Sequence, residues 1–113
     1  GQEGESGVSA PNPPGGRAAV GSFQRLIEDI YFDLDKDRGV EGTLLWFVEE
    51  VGELVRAIRR GERANLEEEF GDVYAWLATL ASLHGLDLEG IGRKKYGAGC
   101  PKCAASPCAC RHS

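Results

Sequence analysis

The stretch from Leu44 to Leu80 constrains the fold more than any other part of the sequence. Leu44, Val48, Val51, Val55 and Ile58 recur at steps of 4, 3, 4 and 3 residues. Leu66, Phe70, Val73, Leu77 and Leu80 repeat the same rhythm. Apolar side chains at that spacing share one face of an α-helix, whereas a strand would alternate every second residue. Between the two stripes stand Arg59, Arg60 and Gly61. Cations suit the C-terminal end of a helix, and glycine readily takes the left-handed turn that follows one. The pattern is that of two helices joined by a short connection.

The flanking sequence extends this reading. Ser22 can N-cap a first helix carrying Phe23, Leu26, Ile27, Ile30, Tyr31 and Leu34, ending near Asp37 before Arg38-Gly39. Thr43 can cap the second helix and Asn65 the third, with Glu67 and Glu68 in its first turn. Gly85 ends the third helix, and Asp87 can cap a short fourth one running to about Tyr96. The expected fold class is all-α: an antiparallel helical bundle of three long helices plus a short C-terminal helix. Residues 1–21 hold 6 of the 16 glycines and 3 of the 5 prolines and have no apolar period, so they read as a disordered N-terminal tail. The helical domain is then 22–97, followed by a cysteine-rich tail at 98–113. So small a core leads us to expect self-association, a metal staple, or both.

The net charge of −5 argues against a global attraction to nucleic acid or an anionic membrane. No apolar run approaches the ~20 residues of a membrane span, and no signal peptide is evident, so a cytoplasmic protein is expected. The chain has no methionine, which suggests that Gly1 follows a cleaved tag or lies inside a longer natural chain.

The acids are distributed informatively. Glu50 and Glu53 are three residues apart on the second helix, and Glu69 and Asp72 are three apart on the third. Each pair lies on one helix face, at the edge of its apolar stripe. Were the stripes to pack together, both pairs would converge at one seam. Convergent carboxylates repel unless cations lie among them, and hard oxygen ligands suit Mg²⁺ or Mn²⁺. A solvated helix face, with Glu67–Glu69 favouring a helix N-terminus, is the plainer reading of the same residues.

The stretch WFVEEVGELVRAIRRGERANLEEEFGDVYAWL resembles the MazG signature, an E-E-x-x-E element followed by E-x-x-D, here Glu49-Glu50-Val51-Gly52-Glu53 and Glu69-Phe70-Gly71-Asp72. The resemblance spans about residues 22–97. It implies an all-α, Mg²⁺-dependent nucleoside triphosphate pyrophosphohydrolase. Such an enzyme cleaves between the α- and β-phosphates and works as a homodimer or homotetramer whose pockets a neighbour completes. Carried over by position, Glu50, Glu53, Glu69 and Asp72 match the metal ligands. Glu49 lies one turn before Glu53, where it could bind a second metal or orient the attacking water, so Glu49 and Glu50 are the candidate catalytic groups, with the choice of base between them left open.

Trp46 lies one turn before Glu50 and Trp76 one turn after Asp72, where their faces could stack on a base. Core or subunit-contact roles are the plainer reading. Lys94 and Lys95, beside Arg93, could clamp a triphosphate, although a surface-charge role is the alternative. All four cysteines, Cys100, Cys103, Cys108 and Cys110, fall in the tail. Four thiolates can complete a structural zinc shell, with His112 able to replace one sulfur; two disulfides are the alternative, disfavoured in a reducing compartment. A non-catalytic, zinc-stabilised helical interaction module is the competing function.

Overall fold

The structure is a computed structural model that describes residues 20–110. The expected disordered tail, up to residue 19, and His112 lie outside the described residues. Three helices make up the fold, and no strand occurs among the described residues. They are α1 (Ser22–Arg60), α2 (Arg63–Leu83) and α3 (Leu88–Tyr96). The first two expected helices are thus one 39-residue element, broken once, at Gly39, where φ is 81° and ψ is 176°. An L-residue with a side chain is strained there, so the break falls on the residue that tolerates it. No helix is long and apolar enough to cross a membrane.

The C-terminal ends follow the expected chemistry. Gly61 is left-handed at φ 75° and its N–H donates to the Ala57 carbonyl. After α2, Gly85 (φ 69°) lets the Leu86 N–H reach the Ala81 carbonyl at 2.9 Å and its own N–H reach Ser82 at 3.0 Å, a Schellman closure. The N-terminal ends depart from expectation. Ser22 is the first helical residue, with Gly21 in the capping position. Asn65 lies inside α2, which starts two residues earlier because Glu62 supplies the extended backbone before it. Thr43 lies inside α1, fully buried, its Oγ1 donating back to the Gly39 carbonyl at 2.8 Å. Asp87 does precede α3, but its Oδ1 accepts from the Gly21 N–H at 3.0 Å instead of capping its own helix.

α1 packs chiefly on α2. Ala57, Ala78 and Ala81 are buried and let the backbones approach closely. Much of the seam is polar. Gln24 Nε2 donates to Ser82 Oγ and to the Leu86 carbonyl, both at 2.8 Å, while its Oε1 accepts the Leu88 N–H at 2.8 Å. Ser82 Oγ in turn donates to buried Glu28 at 2.6 Å. One glutamine thereby fixes the end of α2 and the start of α3 against α1. Each such bond nets about 1 kcal/mol, and leaving a partner unsatisfied in the seam would cost more.

The apolar stripes do not close on each other within one chain. Leu44 (45%), Val48 (65%), Val55 (49%), Ile58 (53%) and Phe70 (54%) stay exposed. Scattered surface leucines need no explanation, but an exposed stripe at helical spacing marks a face awaiting a partner.

Candidate active site

Glu50 of α1 and Glu69 and Asp72 of α2 meet at the seam. One carboxylate oxygen from each lies within 4.8 Å of the other two. All three side chains are half-buried. Helical spacing explains the convergence: Glu69 and Asp72 are one turn apart on a single face, and Glu50 stands opposite them. Burial, followed by the charges of Asp72 and Glu69, pushes the Glu50 carboxyl above the ordinary range, and hydrogen bonding to Glu69 and the Glu53 charge add to this. Glu69 Oε1 is buried with no hydrogen-bond partner. Such an orphan is costly, and buried polar atoms are rarely left so. Three converging carboxylates, one of them with an unsatisfied oxygen, are what a small hard cation would neutralise.

The other expected site residues are placed as follows. Glu53 is exposed and turns to Arg56, with Nη2–Oε2 at 2.7 Å, outside the group of three oxygens. Glu49 is exposed on α1. Trp46 and Trp76 are near-parallel, with an interplanar angle of 7° and centroids 6.0 Å apart. Lys94 and Lys95 are exposed on α3, the Lys95 ammonium 5.7 Å from the Tyr96 ring centroid.

A recess of about 270 Å³ opens beside the acids, with Asp72 and Trp76 on its wall together with Asp35, Arg38 and Thr79. The last three form a network that sequence reasoning missed. Arg38 Nη1 donates to Asp35 Oδ1 at 2.9 Å and to Thr43 Oγ1 at 3.2 Å. Thr79 Oγ1 of α2 donates to the other Asp35 oxygen at 3.0 Å. The Arg38 guanidinium sits 4.9 Å from the Trp76 ring centroid, within cation–π range. A signal was present: Asp35 falls four residues after Tyr31 and eight after Ile27, a carboxylate on an apolar face. A larger recess of about 400 Å³ lies between the start of α1 and α3, where Phe23 stacks on Tyr74 at 4.2 Å, but none of the three clustered acids lines it.

The four tail cysteines also converge: one sulfur from each lies within 4.8 Å of the rest, and none is in a disulfide. The backbone N–H groups of Ala109 and Ala105 pull the Cys103 thiol down to about 6. Hydrogen bonding with Cys108, Cys100 and Cys103 pushes Cys110 up to about 11.

Among the described residues helices are the only regular structure, and an acidic cluster that could hold a metal ion lies between two of them beside a recess. Residues 38–102 match the MazG nucleotide pyrophosphohydrolase domain, and the chain belongs to that family. The match takes in Glu50, Glu69 and Asp72 and runs into the tail as far as Lys102. It starts at Arg38, later than the resemblance drawn from sequence, and so leaves out the first part of α1. A comparison with curated proteins gives no match. Family membership supports nucleotide pyrophosphohydrolase activity in general and implies a nucleotide substrate. The thiol cluster is compatible with a non-catalytic module but does not favour one.

Proposed function

We propose that this protein is an Mg²⁺-dependent nucleoside triphosphate pyrophosphohydrolase. It converts an NTP or dNTP and water to the monophosphate and pyrophosphate, in the service of nucleotide-pool cleaning in the cytoplasm. The observation that carries this reading is the orphaned Glu69 Oε1 among the oxygens of Glu50 and Asp72. Glu50, Glu69 and Asp72 would hold Mg²⁺ or Mn²⁺, and Glu53, which here pairs with Arg56, is the proposed fourth ligand. When bound, the ion supplies Lewis-acid polarisation and neutralises phosphate charge. Glu49 and Glu50 are the proposed groups for orienting water and accepting its proton.

The recess beside Asp72 takes the nucleoside, with Trp76 and Trp46 offering ring faces for the base. Lys94 and Lys95 are proposed to reach phosphates, within one chain or from a neighbour. The exposed stripe of Leu44, Val48, Val55 and Ile58 supports a homodimer or homotetramer in which antiparallel helices complete a bundle.

The test is pyrophosphate release from a panel of canonical and modified NTPs and dNTPs with Mg²⁺ or Mn²⁺. Metal-dependent release from at least one nucleotide is expected. A folded protein that releases pyrophosphate from none of them removes the assignment.

A further inference from the structure

The C-terminal tail carries a second cluster that hydrolysis at the acids does not use. The segment after α3, residues 97–110, contains no helix or strand and contributes no buried residue. Four thiols nonetheless meet at its centre. Cys100 Sγ and Cys110 Sγ are 3.7 Å apart, and Cys103 Sγ and Cys108 Sγ are 4.0 Å apart. A tetrahedral zinc with Zn–S bonds of about 2.3 Å has sulfur–sulfur edges of ~3.8 Å. A disulfide needs about 2.05 Å within a pair and gives no reason for two pairs to share one centre.

The backbone is arranged around the sulfurs. The N–H of Lys102 donates to Cys100 Sγ at 3.4 Å, that of Ala109 to Cys103 Sγ at 3.3 Å, and that of Cys110 to Cys108 Sγ at 3.3 Å. Such donors favour thiolates, which are the metal-binding form. The Cys100–Cys103 turn is locked by the Ala104 N–H on the Cys100 carbonyl (2.6 Å) and the Cys100 N–H on the Ala105 carbonyl (3.0 Å). Ala104 accepts a left-handed φ of 61° to make this closure. An alanine held there, in a segment with no apolar core, needs another source of stabilisation.

We infer that Cys100, Cys103, Cys108 and Cys110 bind one structural Zn²⁺ per chain, the geometry being that of a closed tetrathiolate. Four protein ligands leave no open position for water or substrate, so the site does not take part in hydrolysis. Its work is to fold the tail behind Tyr96, since binding energy at such a site is folding energy. This inference is independent of the activity proposed above.

The experiment is elemental analysis and native mass spectrometry of the purified full chain, with sulfur-shell distances from zinc X-ray absorption. About one zinc per chain, with four sulfurs at about 2.3 Å, is the expected result. The Cys103→Ala/Cys108→Ala double variant should lose at least nine-tenths of that metal, while far-UV circular dichroism reports the helices intact. A metal-free chain whose mass is lower by four hydrogens is held by disulfides and overturns the inference. So do four reactive thiols that take up no added Zn²⁺, iron in place of zinc, or a double variant that retains full metal.

Discussion

The acid cluster and the thiol cluster are assembled by opposite routes. Glu50, Glu69 and Asp72 are delivered by two helices that pack whether or not an ion is present, because a polar seam and buried alanines already join them. Cys100 to Cys110 are delivered by chain without regular structure, whose convergence is itself the fold. In the first region the scaffold tolerates the repulsion of its carboxylates and leaves an orphaned oxygen. In the second, backbone donors already serve three of the sulfurs. A site that keeps unsatisfied ligands can exchange ions and admit phosphate, whereas a closed site surrounded by its own chain can only hold.

The largest effect that separates the two is catalytic. Asp72→Asn should lower kcat for pyrophosphate release by at least about 100-fold, equivalent to ~2.7 kcal/mol of barrier, with unchanged helicity. Steady-state kinetics at saturating Mg²⁺ checks this, and a variant within threefold of wild type would break the contrast at the acid site.

A smaller effect tests the repulsion. The fold raises the Glu50 pKa, so between the unfolded and folded values the native state binds more protons than the unfolded one. Stability therefore falls as pH rises through that window, and the cost is complete above the folded-state value. In metal-free buffer at pH 7, Glu50→Gln should raise Tm by about 2–5 °C, and the gain should vanish below the ordinary carboxylate range. Added Mg²⁺ should raise the Tm of the wild type but much less that of the variant. Differential scanning fluorimetry across pH and Mg²⁺ would show an apo Tm unmoved by the substitution if the acids were independently solvated.

The smallest effect lies in the tail. Cys103→Ala/Cys108→Ala should move the melting midpoint of the helices by no more than about 1 °C, because residues 97–110 contribute no buried residue to the helical core. Protease sensitivity confined to that segment should rise. A shift of many degrees in helical melting would show that the two regions fold as one.

Helical periodicity made the class of fold legible, and Gly61, Gly85 and Asp87 marked their boundaries correctly. Two N-caps, Ser22 and Asn65, were misplaced because backbone before a helix can be extended at Gly21 or Glu62 without any capping side chain, and Thr43 because α1 runs on through it after the break at Gly39. Spacing placed Glu50, Glu69 and Asp72 on facing edges, and the structure brings them together. It could not decide where Glu53 turns, since Arg56 competes for it one turn along the same helix. Nor could periodicity say whether an apolar stripe is covered by its own chain, because Val48 has the same spacing whether buried or bare. The Asp35–Arg38–Thr79 network depends on a contact across 44 residues of sequence, which no local pattern encodes.

The break at Gly39 has a mechanical consequence. The rods on either side of it are pinned by Asp35, Arg38 and Thr43. Arg38 also rests on the indole of Trp76, and Asp35 is latched to α2 through Thr79. The lever arm of α1 and the floor of the recess beside Asp72 thus share the same few atoms. A molecule resting against that indole would therefore meet the same side chains that hold the two rods together.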